Sequence, residues 1–201
     1  MIKKILILLL TVGSVSAQEN LSFSELTLKR YSPYEFDASR EVSPDKLIII
    51  ANATRNSPSS YNEQPWTYII CDKKLTRKAY EDLFGCLGSK NQSWAKDAPV
   101  LILCVAKTIS PFNNKPNSYA EYDTGSASVT LSYSATTVGL QAHQMGGFNK
   151  NKVSQLFSLP PTYKPMTIIA LGYTKTQETP PKKRKALNEV FFWGSLKQGL
   201  N

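Results

Sequence analysis

Residues 119–147 read YAEYDTGSASVTLSYSATTVGLQAHQMGG. No proline interrupts them, and Ala120, Ala127, Leu131, Ala135, Val138 and Ala142 recur at spacings of three, four and seven. That recurrence lines one face of a helix with apolar side chains, so it predicts a single long helix from Tyr119 to about Met145, closed by Gly146-Gly147. Gly125, Ser126, Ala127 and Ser128 lower its helix propensity but let another backbone come close. A central or subunit-interface helix needs that property.

The flanks supply the partners of this helix. Ser43-Pro44-Asp45 before KLIIIANA is an N-cap with proline at the first helical position, and opens a helix of about ten residues. After Pro65, Trp66 to Cys71 is a β-branched and aromatic run bounded by Asp72, which predicts a buried strand. Leu75, Ala79, Leu83 and Leu87 give residues 74–87 helical spacing up to Gly88. A second strand is expected at 99–106, a short helix at Lys150 to Leu156, and a third buried strand at Met166 to Tyr173. Helix, strand, helix, strand, long helix, strand predicts an α+β domain, a mixed or antiparallel sheet packed by helices.

The first seventeen residues stand apart. MIKKILILLLTVGSVSA has a basic start, an apolar stretch from Ile5 to Val12 and a small-residue exit, the three parts of a secretory signal with cleavage after Ala17. The apolar run is shorter than the roughly 20 residues of a spanning helix, so no permanent membrane anchor is expected. Residues 18–201 then form one domain, exported and periplasmic.

The chain carries a formal charge of +9, of which Lys3 and Lys4 belong to the signal. The densest basic run, Lys182 to Lys185, lacks the interleaved aromatics of a single-strand binder, and no nucleic-acid partner is expected. Cys71, Cys86 and Cys104 are an odd number, so at most one bridge can form, and whether Cys71 and Cys104 pair is open. No C-x-x-C or H-E-x-x-H occurs, so no metal site is expected. The glycine patterns of dinucleotide and NTP sites and the G-x-S-x-G of hydrolases are missing too. With His143 the only histidine, the chain is poor in catalytic side chains and rich in ligand-gripping ones. That balance suits an enzyme whose cofactor carries the chemistry.

Three segments in order then resemble the nitroreductase family of FMN-dependent oxidoreductases. Residues 29–37, KRYSPYEFD, resemble its R-x-S-x-(R/K)-x-F entry; residues 58–66, PSSYNEQPW, resemble its P-S-S-x-N-x-Q-P-W; and residues 139–148, GLQAHQMGGF, resemble the flavin loop that carries H-Q-M-x-G-F. Weaker matches are Asn91-Gln92-Ser93-Trp94, residues 121–125 and Lys182-x-Arg184. The matches span residues 29 to 190 in family order.

The resemblance implies a dimeric α+β sandwich with FMN at the subunit interface, NADH or NADPH as donor, and a nitroaromatic, quinone or similar small-molecule acceptor served in ping-pong fashion. No side chain is then a catalytic nucleophile, since flavin N5 receives the hydride. By carry-over, Arg30 and Ser32 with Lys182 and Arg184 hold the phosphate, for which guanidinium and ammonium groups are suited. Ser60 and Asn62 face the flavin, and Pro58 and Ser59 approach from the other subunit. Gly146 and Gly147 offer backbone N–H groups to N5 and O4, while Tyr31, Tyr34, Gln92 and Met145 complete the cofactor-binding set. Tyr34 stands where the family commonly has Arg or Lys, which implies a lower reduction potential or compensation by another basic residue. An exported flavin carrier with little reductase activity is the alternative.

Overall fold

The computed structural model describes residues 22–176 and 182–200; the expected signal and its cleavage site after Ala17 lie outside them. The run VLILCVA is buried along its whole length because it becomes an interior strand. Four strands, β1 (Trp66–Asp72), β2 (Val100–Lys107), β3 (Gln141–Met145) and β4 (Tyr163–Gly172), pair antiparallel in the order β1-β2-β4-β3. β1 and β3 are therefore the two edges.

Six helices accompany them among the described residues: α1 (Phe23–Lys29), α2 (Pro44–Arg55), α3 (Arg77–Phe84), α4 (Ser89–Ala95), α5 (Ala120–Thr137) and α6 (Lys150–Leu156). Alternate residues of each strand point to opposite faces, which splits the core in two. Ile102, Cys104, Ala142, Ile169 and Leu171 pack with Leu47 and Ile50 of α2 and Leu131 and Ala135 of α5. Cys71, Leu101, Leu103, Met145, Ile168 and Ala170 pack on the other face with Tyr80 and Leu83 of α3 and Val153 of α6. Among the described residues, no helix is long and apolar enough to cross a membrane.

The expectation of one helix from Tyr119 to Met145 is corrected here. α5 stops at Thr137, and residues 141–145 are a strand paired with β4, Ala142 opposite Leu171 and Met145 opposite Ile168. Gly139 takes a left-handed φ of 77°, its N–H donates to Thr136 O, and Leu140 N–H donates to Ala135 O. This paired closure satisfies the last helix carbonyls and needs the glycine. Beyond it, Leu140 and Ala142 face one core while Met145 faces the other, a period of two that a short apolar run can hide within helical spacing. Gly146-Gly147 thus ends a strand.

Two smaller differences bear on the site. The helix expected over residues 74–87 is shorter, because Asp72 Oδ1 accepts the Lys74 and Leu75 amides and holds them in a turn ahead of α3. α4 was not expected at all. Cys71 and Cys104 lie on opposite faces of the sheet, so they cannot pair, and all three thiols are free and buried.

Candidate functional site

Where β3 ends, its backbone is stapled to the start of α4. The Gly147 carbonyl accepts from Gly88 N–H at 2.9 Å and from Asn91 Nδ2 at 3.1 Å, and Asn149 N–H donates to Cys86 O at 2.8 Å. The segment after α1 is laid along the same edge strand: Tyr31 N–H donates to Gln141 Oε1, Gln141 Nε2 donates to Lys29 O, and His143 Nδ1 lies 2.7 Å from Pro33 O. Between these two attachments opens a cleft of about 490 Å³, lined by Tyr34, Gly88 to Asn91, Trp94 and His143 to Gly147.

The cleft wall has a definite chemistry. Tyr34, 60% exposed, meets Trp94 and His143 edge-on with ring centroids at 5.3 and 4.8 Å, and Trp94 and His143 are 4.4 Å apart. This aromatic surface suits a flat ring. Among the described residues, Lys90 lines the cleft and no carboxylate does, so these residues attract an anionic ligand. A Cβ on Gly146 would meet nothing within 4 Å, whereas one on Gly147 would sit 3.1 Å from Asn91 Nδ2. The indole Nε1–H of Trp94 is buried with no hydrogen-bond partner among the described residues. Burial holds the His143 pKa below the usual histidine value; its hydrogen bond to Pro33 opposes this, and the Lys182 charge reinforces it.

The expected site residues divide into two groups. Arg30 and Ser32 are half-buried on the segment that leads to the cleft; Gly146 and Gly147 are exposed at its rim, and Met145 is buried while lining it. Tyr31 is only 6% exposed, and it is the backbone N–H that is engaged. Gln92 turns away, its amide donating to Phe84 O and Leu87 O. Lys182 and Arg184 are exposed on the C-terminal segment, with Lys182 near enough to act on His143.

Pro58, Ser59, Ser60 and Asn62 lie elsewhere. Their turn precedes β1, the edge opposite β3, roughly 14 Å away across three strand spacings. It is rigid: Ser60 N–H donates to Asp123 Oδ2 at 3.0 Å, Gln64 N–H donates to Ser59 Oγ, and the Glu63 carboxylate accepts from Ser110 and Asn117. Tyr61, Asn62 and Gln64 all have positive φ, of 51°, 53° and 48°. Three such residues in four are strained, and strain of this kind collects at functional sites. One protomer does not bring this turn to the cleft.

Lys90, Asn91, Trp94 and His143 also line the cleft and lie outside the expected set. Asn91 and Trp94 sat inside a motif already noted, and the unexpected helix α4 is what turns them to the cleft. A second opening, about 610 Å³ and lined by Arg40, Glu41, Asp72, Lys73 and Asp97 among others, mixes both charges and holds none of the motif residues.

Comparison with known proteins bears on the whole fold. A family model described as the nitroreductase family matches residues 27–91 and 85–173. An oxygen-insensitive NADPH nitroreductase of Helicobacter acinonychis is 26% identical, covering 84% of this chain and 95% of its own. Protein DrgA of Synechocystis sp. is 24% identical over 78% of this chain and 85% of its own. A crystal structure described as an oxidoreductase containing FMN superposes with a TM-score of 0.78 at 29% identity, over 86% of this chain and 92% of that one.

Proposed function

The chain belongs to the nitroreductase family, and on that premise we propose that it is an FMN-dependent oxidoreductase that takes hydride from NADH or NADPH and delivers it to a nitroaromatic, quinone or similar acceptor, one substrate leaving before the next binds. The observation that carries this reading is the cleft itself: an aromatic wall, a glycine rim and, among the described residues, one lysine and no carboxylate, assembled from three separate motifs. FMN when bound supplies the hydride chemistry at its N5, and the residues present fit it. Open space over Gly146 admits the edge of a flat ring. Gly146 and Gly147 offer N–H groups there, while Arg30, Ser32, Lys182 and Arg184 are suited to a phosphate.

We read the protein as a homodimer. The rigid turn at residues 58–64 and the cleft lie on opposite sheet edges, so a second copy is the natural source of Pro58, Ser59, Ser60 and Asn62 for each cleft. Ile48 and Ile49 of α2, 58% and 49% exposed, give that copy an apolar face to bury. The signal-like residues 1–17 support export to the periplasm, which places flavin binding after transport.

The deciding experiment is an absorption spectrum of residues 18–201 mixed with FMN, desalted, and given NADH or NADPH without air. Flavin bands that stay and bleach are expected; no retained flavin overturns the reading. Ser60→Ala combined with Arg184→Ala should lose colour and activity together. Tyr34, a phenol where the family commonly has a cation, favours one second reading, an exported flavin carrier. Its mark is retained flavin that no reduced nicotinamide bleaches.

A further inference from the structure

The cleft wall holds the chain's only histidine, and the proposed function leaves it without a task. His143 Nδ1 lies 2.7 Å from the Pro33 carbonyl oxygen. A carbonyl only accepts, so in the neutral ring Nδ1 carries the proton and Nε2 keeps its lone pair. Nε2 makes no hydrogen bond to another described residue. The ring belongs to the cleft surface and packs on Tyr34 at 4.8 Å and on Trp94 at 4.4 Å.

The groups that face it leave it room to change charge. From the segment after α1 comes Tyr34, from α4 comes Lys90, and from the C-terminal segment comes Lys182. Among the described residues, no Asp or Glu lines the cleft. Burial and Lys182 hold the imidazole neutral while the cleft carries no negative charge.

Resting on the flavin reading, we infer that His143 takes up a proton on Nε2 when the bound flavin is reduced, and so supplies the positive charge that Tyr34 does not carry. The balance closes. Hydride from the reduced nicotinamide brings two electrons and one proton, leaving the ring one unit more negative than before; the second proton comes from solvent and is held on Nε2. When the acceptor takes the hydride, His143 gives this proton up to the acceptor or to solvent. A nearby anion raises the pKa of a neighbouring cationic acid, the direction opposite to the one that burial and Lys182 impose on His143. The family's fixed cation is thereby replaced with one that exists only in the reduced state.

His143 is the only histidine in the chain, so ¹⁵N-histidine NMR reports it alone. Spectra are taken between pH 5 and 9 without flavin, with FMN, and with FMN reduced by dithionite. The expected result is the Nδ1-protonated tautomer in the first two states and, on reduction, a titration midpoint at least one pH unit higher. The opposite tautomer, or a midpoint that reduction leaves in place, overturns the inference while the flavin bands of the same sample keep the proposed function standing. Absence of those bands overturns both.

A second measurement does not depend on the tautomer. The flavin midpoint potential of the wild type should fall with pH about twice as steeply as that of His143→Asn, in the range between the two histidine midpoints, because two protons instead of one accompany two electrons. Asparagine keeps a side-chain N–H for Pro33. Equal slopes in the two proteins overturn the inference.

Discussion

The backbone N–H of Ser60 donates to Asp123 Oδ2 at 3.0 Å, and Asp123 is buried in the first turn of α5. One side chain thus fixes the strained turn before β1 to the central helix, with its negative charge at the favourable end of the helix dipole. Replacing Asp123 with Ala leaves a donor without its partner and removes that charge, at a cost of about 1–3 kcal/mol. Chemical denaturation should show this loss, with Asp123→Asn less affected because it keeps an acceptor. Equal stability of the Ala variant and the wild type would mean that the Glu63 and Ser59 hydrogen bonds suffice to hold the turn.

Gly172 of β4 and Gly146 of the cleft should separate stability from binding. A Cβ at Gly172 would lie 2.5 Å from Pro99 Cδ and 3.1 Å from Phe36 Cδ1, so Gly172→Ala overpacks the core and should cost about 1–3 kcal/mol or more. Gly146→Ala meets nothing within 4 Å. It should melt like the wild type yet retain less FMN after desalting; full retention would show that the flavin does not approach this backbone.

Burial pushes the Cys71 thiol up to about 12 and raises those of Cys86 and Cys104. The thiolate is the reactive form, so none of the three should react with a disulfide reagent at pH 8 in the folded protein, and all three should react in denaturant. Rapid labelling of one thiol in the native state would show a local opening at that site.

Stability without flavin should depend on pH through His143. Its folded pKa is depressed, chiefly by burial, below the value of 6.5 expected when unfolded. The unfolded chain therefore binds the extra proton first as pH falls. This contribution is complete above pH 6.5 and is lost as pH drops toward the folded pKa. The melting temperature of the wild type should fall over that window more than that of His143→Asn; parallel curves would exclude a linkage through this residue.

Lys182 and Arg184 are exposed, so removing either should leave the melting temperature unchanged. If they hold the FMN phosphate, each Ala variant should weaken FMN by about tenfold or more, the worth of a hydrogen bond to a charged group. Titration of flavin fluorescence measures this. Unchanged affinity in both variants would return the basic run to being a solvated loop.

Several elements were legible because their signals are local. Ser43-Pro44 starts α2 where the N-cap reading put it, and α6 keeps its expected bounds at Lys150 and Leu156. The β-branched runs of β1 and β2 needed no partner to be recognised. β4 starts earlier than expected, at Tyr163, because Pro165 and the register shift opposite Cys104/Val105 let proline sit within the ladder. The candidate site was legible only as motifs, since each motif is a short string of ligand-suited side chains.

By itself the sequence determined an α+β chain with three apolar strands, a capped α2, a central helix and the residue types of an anion and ring site. Tertiary structure alone decided that residues 141–145 leave the helix for the sheet, that Cys71 and Cys104 face opposite cores, that His143 stands in the cleft against Tyr34, and that the 58–64 turn lies on the far edge from Gly146. The physical reason is common to all four. Periodicity and capping are properties of a dozen neighbouring residues, whereas the choice of strand over helix for QAHQM depends on hydrogen bonds to β4, and the side of the sheet that a residue meets depends on register with strands 23 to 40 residues away in the chain.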